Sequence, residues 1–170
     1  MKHITPRLKH WLFDMHWFIT TALLVLIFFL WASMPTLRSW AFLYPAVGAV
    51  LGLSYFALRQ QIDETRLFSD LFKSFNARYD QKNDRLHELC SIDVNQTLEL
   101  EEKVFLYDYF NLCAEEYLYY AKGFIYPEVW QAWVAGMKIF YQNARIRRLW
   151  DSELATKSYY GFRKEFLTTD

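Results

Sequence analysis

Two uncharged, apolar segments lie close together in this chain and constrain its fold more than any other feature. Residues 17–34 and residues 39–58 contain no charged side chain, and they are 18 and 20 residues long. As α-helices they would measure about 27 and 30 Å, which matches the hydrocarbon core of a bilayer. The link at residues 35–38 is too short for a domain. The sequence therefore predicts a transmembrane helical hairpin at residues 17–58.

The distribution of Lys and Arg predicts the orientation of this hairpin. The basic residues that flank the two segments are Lys2, Arg7 and Lys9 before the first, and Arg59 and Arg66 after the second. The link contains only Arg38. Because loops that stay in the cytoplasm carry the excess of Lys and Arg, we expect a multi-pass protein of the bacterial inner membrane with both termini in the cytoplasm. Residues 1–16 then form a cytoplasmic N-terminal segment.

Tryptophans stand near the ends of both segments, where amphipathic rings anchor a protein at the membrane–water interface. Trp11 and Trp17 mark one interface, and Trp31 and Trp40 mark the other. A cleaved signal peptide is the alternative for the first segment. Its apolar run would measure about 7–15 residues and precede a small-residue cleavage site, whereas the run here is longer and no such site follows. We therefore expect both segments to remain in the membrane.

Small residues lie on one side of the second segment. Gly48 and Gly52 are four positions apart, and Ala41, Pro45 and Ala49 lie beside them. Small side chains allow the backbone of another helix to approach closely. That helix is either the first helix of the same hairpin or a helix of another copy, so the pattern suits both intramolecular packing and a homo-oligomer interface.

The remainder, residues 59–170, is predicted to be a small cytosolic bundle of three to five helices. Apolar residues recur there at helical spacing, and no alternating strand pattern is found. The predicted elements are an amphipathic helix at 59–79, a polar break at 80–84, helices at 97–122 and 127–149, and a last helix at 152–167 that is interrupted at Gly161. The whole chain is therefore predicted to be all-α, a transmembrane hairpin followed by this bundle.

Composition and motifs argue against an enzyme. The 19 basic and 19 acidic residues balance, which excludes a nucleic-acid binder that depends on overall positive charge. No glycine-rich phosphate loop and no CxxC motif is present. His87 and Cys90 are the nearest approach to a base and nucleophile, and His10 and Asp14 have the spacing of metal ligands. We interpret the second pair as polar groups at the level of the lipid headgroups, and we expect no catalytic site, metal or other cofactor.

Two adjacent carboxylates, Glu115 and Glu116, lie in the predicted helix 97–122. Successive residues diverge by about 100° around a helix. The two side chains are therefore not expected to form a pair for acid–base catalysis.

Arg145, Arg147 and Arg148 form a basic cluster beside Trp150, at the C-terminal end of the predicted helix 127–149. Cations at that end of a helix complement its dipole, and nearby acids supply salt bridges. The alternative is an anion site for a lipid headgroup or a nucleic acid, which the negative charge of residues 59–170 weakens.

The stretch from Val104 to Glu116, followed by Gly123 to Trp130 and an aromatic helix, resembles bacterial membrane-anchored helical proteins of uncharacterised function. Some proteins of that general build accompany phage-defence systems. The resemblance implies an oligomeric membrane effector. It covers about forty residues and carries no functional residue over to this chain.

Two functions are compatible with these features. The first is an interaction module that is anchored in the membrane, self-associates, and binds an unidentified protein partner at the cytoplasmic face. The second is an oligomeric effector that forms a pore or disrupts the membrane in a bacterial defence or toxin system. Because the two segments lack charges, such a pore would be wide or gated by hydrophobic dewetting. Lipid and protein are the expected partners, and nucleic acid is not.

Overall fold

The computed structural model describes residues 15–168, and all regular secondary structure in that range is helical. The prediction of an all-α chain is thereby confirmed. The elements are α1 (His16–Ser33), a 3₁₀ turn (Pro35–Leu37), α2 (Trp40–Ser91), α3 (Leu100–Ala121), α4 (Pro127–Tyr141), α5 (Ala144–Leu154) and α6 (Glu165–Thr168). The chain divides into two compact units, with the boundary between Arg66 and Leu67. Residues 1–14, which include Trp11, His10 and Asp14, lie outside the described residues.

The first unit contains α1 and the N-terminal part of α2. Both helices are long and apolar enough to cross a membrane. The hydroxyl groups of Thr20 and Ser54 are 2.6 Å apart and join the two helices by a hydrogen bond. Near the connecting turn, the rings of Trp31 and Trp40 lie 5.4 Å apart. Helix α1 therefore contacts α2 near both of its own ends.

Helix α2 continues without interruption to Ser91, so the predicted polar break at residues 80–84 is wrong. Asp80, Gln81 and Asp84 are exposed, and the helix enters the core at Leu86 and Leu89, both almost fully buried. Lys82 also forms an ion pair with Asp108 on α3. Burial of one helical face and contacts with α3 therefore favour helix over the local turn-like composition.

The second unit is a helical bundle built around aromatic rings. Trp150 is fully buried, and it stacks on Phe110 at 4.5 Å and on Phe162 at 6.1 Å between ring centroids. The other large residues of this core that are almost fully buried are Leu86, Leu89, Leu106, Tyr109, Phe140 and Ile146. Offset and edge-to-face ring contacts add to the free energy gained by burying apolar area. The α2 C-terminal half, α3, α4, α5 and the final turn all contribute to one core.

The predicted helix 127–149 is two helices. Its start at Pro127 is correct, but α4 ends at Tyr141 and α5 begins at Ala144. Asn143 causes the new start, because its side-chain oxygen accepts hydrogen bonds from the backbone N–H groups of Arg145, at 2.9 Å, and Ile146, at 3.3 Å. The arginines consequently follow a helix N-terminus. The explanation of these cations as a complement to a helix C-terminus is therefore wrong.

The predicted last helix, 152–167, is largely absent. Helix α5 ends at Leu154, and only Glu165–Thr168 is helical after it. Between them, Lys157, Tyr160 and Gly161 have positive φ angles of 60°, 50° and 85°. This left-handed backbone reverses the chain and places Phe162 against Trp150.

A buried ion pair connects α3 to α5. Glu102 accepts a hydrogen bond from the backbone N–H of Glu99 at 2.9 Å in a capping box, and its same oxygen accepts one from Arg145 Nη2 at 2.9 Å. Arg145 also donates to the carbonyl oxygens of Gln96, Leu89 and Thr97 at 2.8, 3.4 and 3.5 Å. Its guanidinium is therefore satisfied by the loop before α3, the end of α2 and α3 itself.

We predict that Arg145→Ala destabilises the second unit by about 3–5 kcal/mol, because it leaves the Glu102 carboxylate buried without its counter-charge. Arg147 is exposed, so Arg147→Ala is the matched control and should change the free energy of unfolding by less than about 0.5 kcal/mol. Urea unfolding of the full-length protein in mild detergent, followed by tryptophan fluorescence, measures both. Equal effects of the two substitutions would show that the ion pair does not stabilise this unit.

Candidate functional site

The small-residue face of α2, defined as Ala41, Pro45, Gly48, Ala49 and Gly52, is exposed along its whole length. A Cβ atom added at Gly48 or at Gly52 would meet no atom within 4 Å. These five positions fall on one side of the helix at about 100° per residue. The structure therefore brings the predicted interface residues together on one open surface.

The first helix does not occupy this face. On α2, Val50 is buried, and Leu43, Val47 and Ser54 beside it are half-buried. At about 100° per residue they lie roughly opposite the small-residue face. No atom of the first helix lies within 4 Å of a Cβ added at either glycine. The role of this face, in packing within the hairpin or in an oligomer, stays a prediction.

The described tryptophans of the first unit stand at helix ends, as the sequence indicates. Trp17 lies in the first turn of α1 and is 60% exposed. Trp31 lies in the last turns of α1, and Trp40 begins α2, where it also stacks on Tyr44 at 5.4 Å. Their role as interface anchors stays a prediction, and Trp11 lies outside the described residues.

The basic cluster is divided by the fold. Arg145 is 2% exposed and satisfied within the protein, whereas Arg147 and Arg148 are exposed. Arg148 donates to the carbonyl oxygens of Ala144 and Val94 at 3.2 and 3.0 Å. Arg145 is therefore a structural residue, and an anion would have to be bound by Arg147, Arg148 and their exposed neighbours.

A cavity within the second unit was not foreseen from the sequence. It measures about 170 Å³ and lies among α2, α3 and α4. Its lining consists of Asn76, Tyr79, Tyr109, Cys113, Glu116, Ala132, Trp133, Gly136 and Met137. The lining is mostly aromatic and apolar, with one carboxyl group, which is the usual composition of a small-molecule site.

Glu116 is the ionisable acid of this cavity. It is only 5% exposed, and its side chain has no hydrogen bond to any residue that the structure describes. Burial raises the pKa of its carboxyl group from the ordinary value of 4.5 to about 8. The positive charge of Arg78 opposes this rise, and the negative charge of Glu115 adds to it. The carboxyl group is consequently mostly protonated at neutral pH.

Glu115 points elsewhere and neutralises the nearest cation. Its carboxylate accepts a hydrogen bond from Arg78 Nη1 at 2.6 Å, and both side chains are about one-third exposed. The expectation that the two glutamates diverge agrees with this geometry. The sequence did contain a signal for the cavity, because Glu116 follows Tyr109, Leu112 and Cys113 at the spacing of one buried helix face.

Two further polar groups of the cavity are neutral at physiological pH. Burial raises the pKa of Tyr109 well above its ordinary range, and the Cys113 thiol is affected in the same way. The Tyr109 hydroxyl is buried without a hydrogen-bond partner among residues 15–168. A thiol whose pKa is raised by an apolar environment is a poor nucleophile. The cavity is therefore suited to binding rather than to covalent catalysis.

The remaining chemical candidates do not assemble into a site. His87 is exposed, with its ring 5.2 Å from that of Phe140, and burial raises the pKa of Cys90. Within residues 15–168, no group of three or more His, Cys, Asp or Glu side chains could hold a metal ion. The alternative metal pair, His10 and Asp14, lies outside that range.

Comparison of the chain with protein-family models, with curated proteins and with solved structures finds no match. The resemblance to bacterial membrane-anchored helical proteins stays a prediction. Function is therefore inferred from the residues of this chain alone.

We predict that the second unit becomes less stable as the pH rises from 5 to 8. In this range Glu116 keeps its proton in the folded protein, where its pKa is about 8. In the unfolded chain its pKa returns to the ordinary value of 4.5, so the proton is lost. The unfolded state therefore binds fewer protons, and stability should fall by up to about 1.4 kcal/mol per pH unit from this group. Glu116→Gln should remove that slope and be more stable than wild type at pH 8. Parallel profiles for the two proteins, measured by urea unfolding, would contradict the raised pKa.

Proposed function

We propose that the protein is a helical interaction module anchored in the bacterial inner membrane. In this proposal residues 17–58 form a transmembrane hairpin, both termini lie in the cytoplasm, and residues 59–170 form the cytosolic bundle. The apolar windows of α1 and α2 support it, since they are 0% and 6% buried within the protein. The core helix of a water-soluble fold would bury such a surface.

The exposed surface of the first unit has the composition of a lipid-facing surface. Phe18, Phe28 and Phe29 on α1 are 72%, 62% and 63% exposed, and Leu53 on α2 is 68% exposed. The two threonine hydroxyl groups of α1 are satisfied internally, because Thr20 and Thr21 donate to backbone carbonyl oxygens one turn earlier at 2.8 Å. An apolar exterior with internally satisfied polar groups is what the bilayer core requires.

Self-association is proposed to occur through the small-residue face. The single observation that carries this proposal is the open space at Gly48 and Gly52, where an added Cβ meets nothing within 4 Å. Association of helices in a membrane depends on close packing of small residues, because lipid supplies no hydrophobic driving force. A second copy, which presents the same face, fits this surface by symmetry.

The bundle is proposed to bind a protein partner at the cytoplasmic surface. Leu100 and Val104 lie one turn apart on α3 and are 77% and 59% exposed. Val94, in the loop before α3, and Ile139, on α4, are also more than 40% exposed. Exposed apolar side chains of this kind supply the contact residues of protein interfaces.

The second candidate function is the pore-forming or membrane-disrupting effector. A ring of hairpins would use the same open face, so the oligomer interface alone favours neither function. The described parts of both helices offer an apolar exterior, and the threonine hydroxyl groups of α1 are satisfied. A water-filled lumen would require the hairpins to present a less apolar surface to it. For that reason the tethered module is the better-supported proposal.

We predict that Gly48→Leu/Gly52→Leu converts an oligomer in detergent into a monomer, because two isobutyl groups prevent close approach of the helices. Light scattering of the purified protein, corrected for bound detergent, gives the mass. Gly48→Ala/Gly52→Ala keeps the residues small and should retain the oligomer. Leu51→Phe/Leu53→Phe adds bulk at exposed positions outside the face and should also retain it.

A wild-type protein that is monomeric, or a Leu double variant with unchanged mass, would refute the interface. A membrane-potential dye in cells that express wild type distinguishes the two functions. Loss of potential that the Gly48→Leu/Gly52→Leu variant prevents would favour the pore. An unchanged potential, together with an oligomer, would favour the tethered module.

A further inference from the structure

We infer that the cavity of the second unit binds a small organic cation, an ammonium group that carries an apolar body. Glu116 is its counter-ion, and the rings of Tyr79, Tyr109 and Trp133 enclose the apolar part. Nothing in the proposed anchoring or self-association uses this cavity. The inference concerns a ligand of the second unit and stands independently of the membrane proposal.

The size of the cavity sets the size of the ligand. A protein cavity of about 150 Å³ is large enough to hold a benzene molecule, and this one measures about 170 Å³. A ligand of roughly six to ten non-hydrogen atoms therefore fits. Gly136 contributes to the space, because an added Cβ at that position meets nothing within 4 Å.

Two unpartnered polar groups determine the polarity of the ligand. Among the described residues, the Tyr109 hydroxyl is buried without a hydrogen-bond partner. The Glu116 side chain is 5% exposed and forms no hydrogen bond with them. Unsatisfied buried polar groups cost free energy. A purely apolar ligand would leave that cost in place, whereas an ammonium group donates hydrogen bonds to both oxygens.

The protein does not itself supply a cation for Glu116. Arg78 is the positive group that acts on Glu116, but its guanidinium is bound by Glu115 at 2.6 Å. Lys82, one turn further along α2, is paired with Asp108. The residues that α4 contributes to the lining, Ala132, Trp133, Gly136 and Met137, carry no charge. An ionised Glu116 therefore has no ion-pair partner of its own among the described residues, and an ammonium ligand would supply one.

The aromatic lining favours a cation over an anion. Aromatic faces attract ammonium groups, most strongly when water is excluded. Trp133 is fixed in place, since its indole N–H donates to Asn76 at 3.3 Å and its ring packs against Phe75 at 5.6 Å and Phe72 at 6.2 Å. A fixed ring loses little conformational entropy when a ligand binds.

Binding of a cation should release a proton. At pH 7 the free protein holds a proton on Glu116, as its pKa of about 8 requires, and the bound cation favours the carboxylate. The groups that face Glu116 are Arg78 and Tyr79 on α2 and Tyr109, Cys113 and Glu115 on α3. The pKa values of Arg78, Tyr79, Tyr109 and Cys113 are all raised. Glu116, with a pKa of about 8, is the carboxyl group of the cavity that titrates between pH 6 and 9.

Isothermal titration of the full-length protein in non-ionic detergent tests this inference with benzylamine, which is a cation at neutral pH, and benzyl alcohol, which is its neutral counterpart. We expect benzylamine to bind at least tenfold more tightly than benzyl alcohol and to release up to one proton per ligand, measured in buffers of different ionisation enthalpy. Its affinity should rise between pH 6.5 and 8.5.

Three variants locate the site. Glu116→Gln should abolish the preference for the amine and the proton release. Gly136→Leu should block binding by filling the cavity, whereas Ala135→Leu, on the exposed side of the same turn, should bind like wild type. Circular dichroism confirms that each variant is folded.

Several results would overturn the inference. Equal affinity for the two probes would show a merely apolar cavity. Tight benzylamine binding that survives both Glu116→Gln and Gly136→Leu would place the ligand elsewhere, in the micelle or on the surface. Absence of benzylamine binding at millimolar concentration would also refute a site for small organic cations.

Discussion

Exposed apolar surface is the constraint on which the architecture of the first unit depends. Helix α1 and the first part of α2 expose aromatic and aliphatic side chains on nearly all sides, and the apolar window of α1 is 0% buried. In water this surface would cost about 25 cal/mol per Å². In the proposed membrane setting lipid removes that cost, and the small-residue face of α2 is the proposed contact between helices of different copies.

The second unit is organised differently, by burial of rings and of one ion pair. Trp150 connects α3 to the final turn through Phe110 and Phe162. Arg145 connects α5 to Glu102 and to the loop before α3. A buried arginine that donates to a carboxylate and three carbonyl oxygens holds these segments together, because its donors are satisfied by groups from all of them. Tyr109, whose ring lies 5.5 Å from that of Trp150, also lines the cavity that contains Glu116.

The helices could be predicted from the sequence where the hydrophobic periodicity and the residues typical of helix ends gave strong signals. The start of α4 at Pro127 and the course of α3 followed from helical spacing and from acidic residues in the first turn. Helix boundaries were predicted wrongly where tertiary contacts outweigh the local amino-acid composition. The polar residues 80–84 remain helical because Leu86 and Leu89 are buried, and the break before α5 depends on the side chain of Asn143. The reversal at Gly161 required two non-glycine residues with positive φ, which no pattern in the sequence indicates.

The candidate sites likewise divide into those that the sequence predicts and those that depend on tertiary contacts. The small-residue face could be read from spacing alone, since positions four apart on a helix share a side. The division of the basic cluster could not be read from the sequence, because Arg145 and Arg147 are the same residue type and differ only in burial. Glu116 was visible as an acid on an apolar face, but its significance depends on the cavity, which is formed by three helices that are distant in sequence.

The topology of the first unit is the central claim, and cysteine labelling tests it most directly. In a chain with Cys90 and Cys113 replaced by alanine, a single cysteine is placed at Thr36, in the link, or at Glu101, an exposed position of α3. A membrane-impermeant maleimide should label Thr36→Cys in intact spheroplasts and Glu101→Cys only after permeabilisation. Labelling of both sites only after permeabilisation, or of Glu101→Cys alone in intact spheroplasts, would contradict a hairpin with a cytoplasmic bundle.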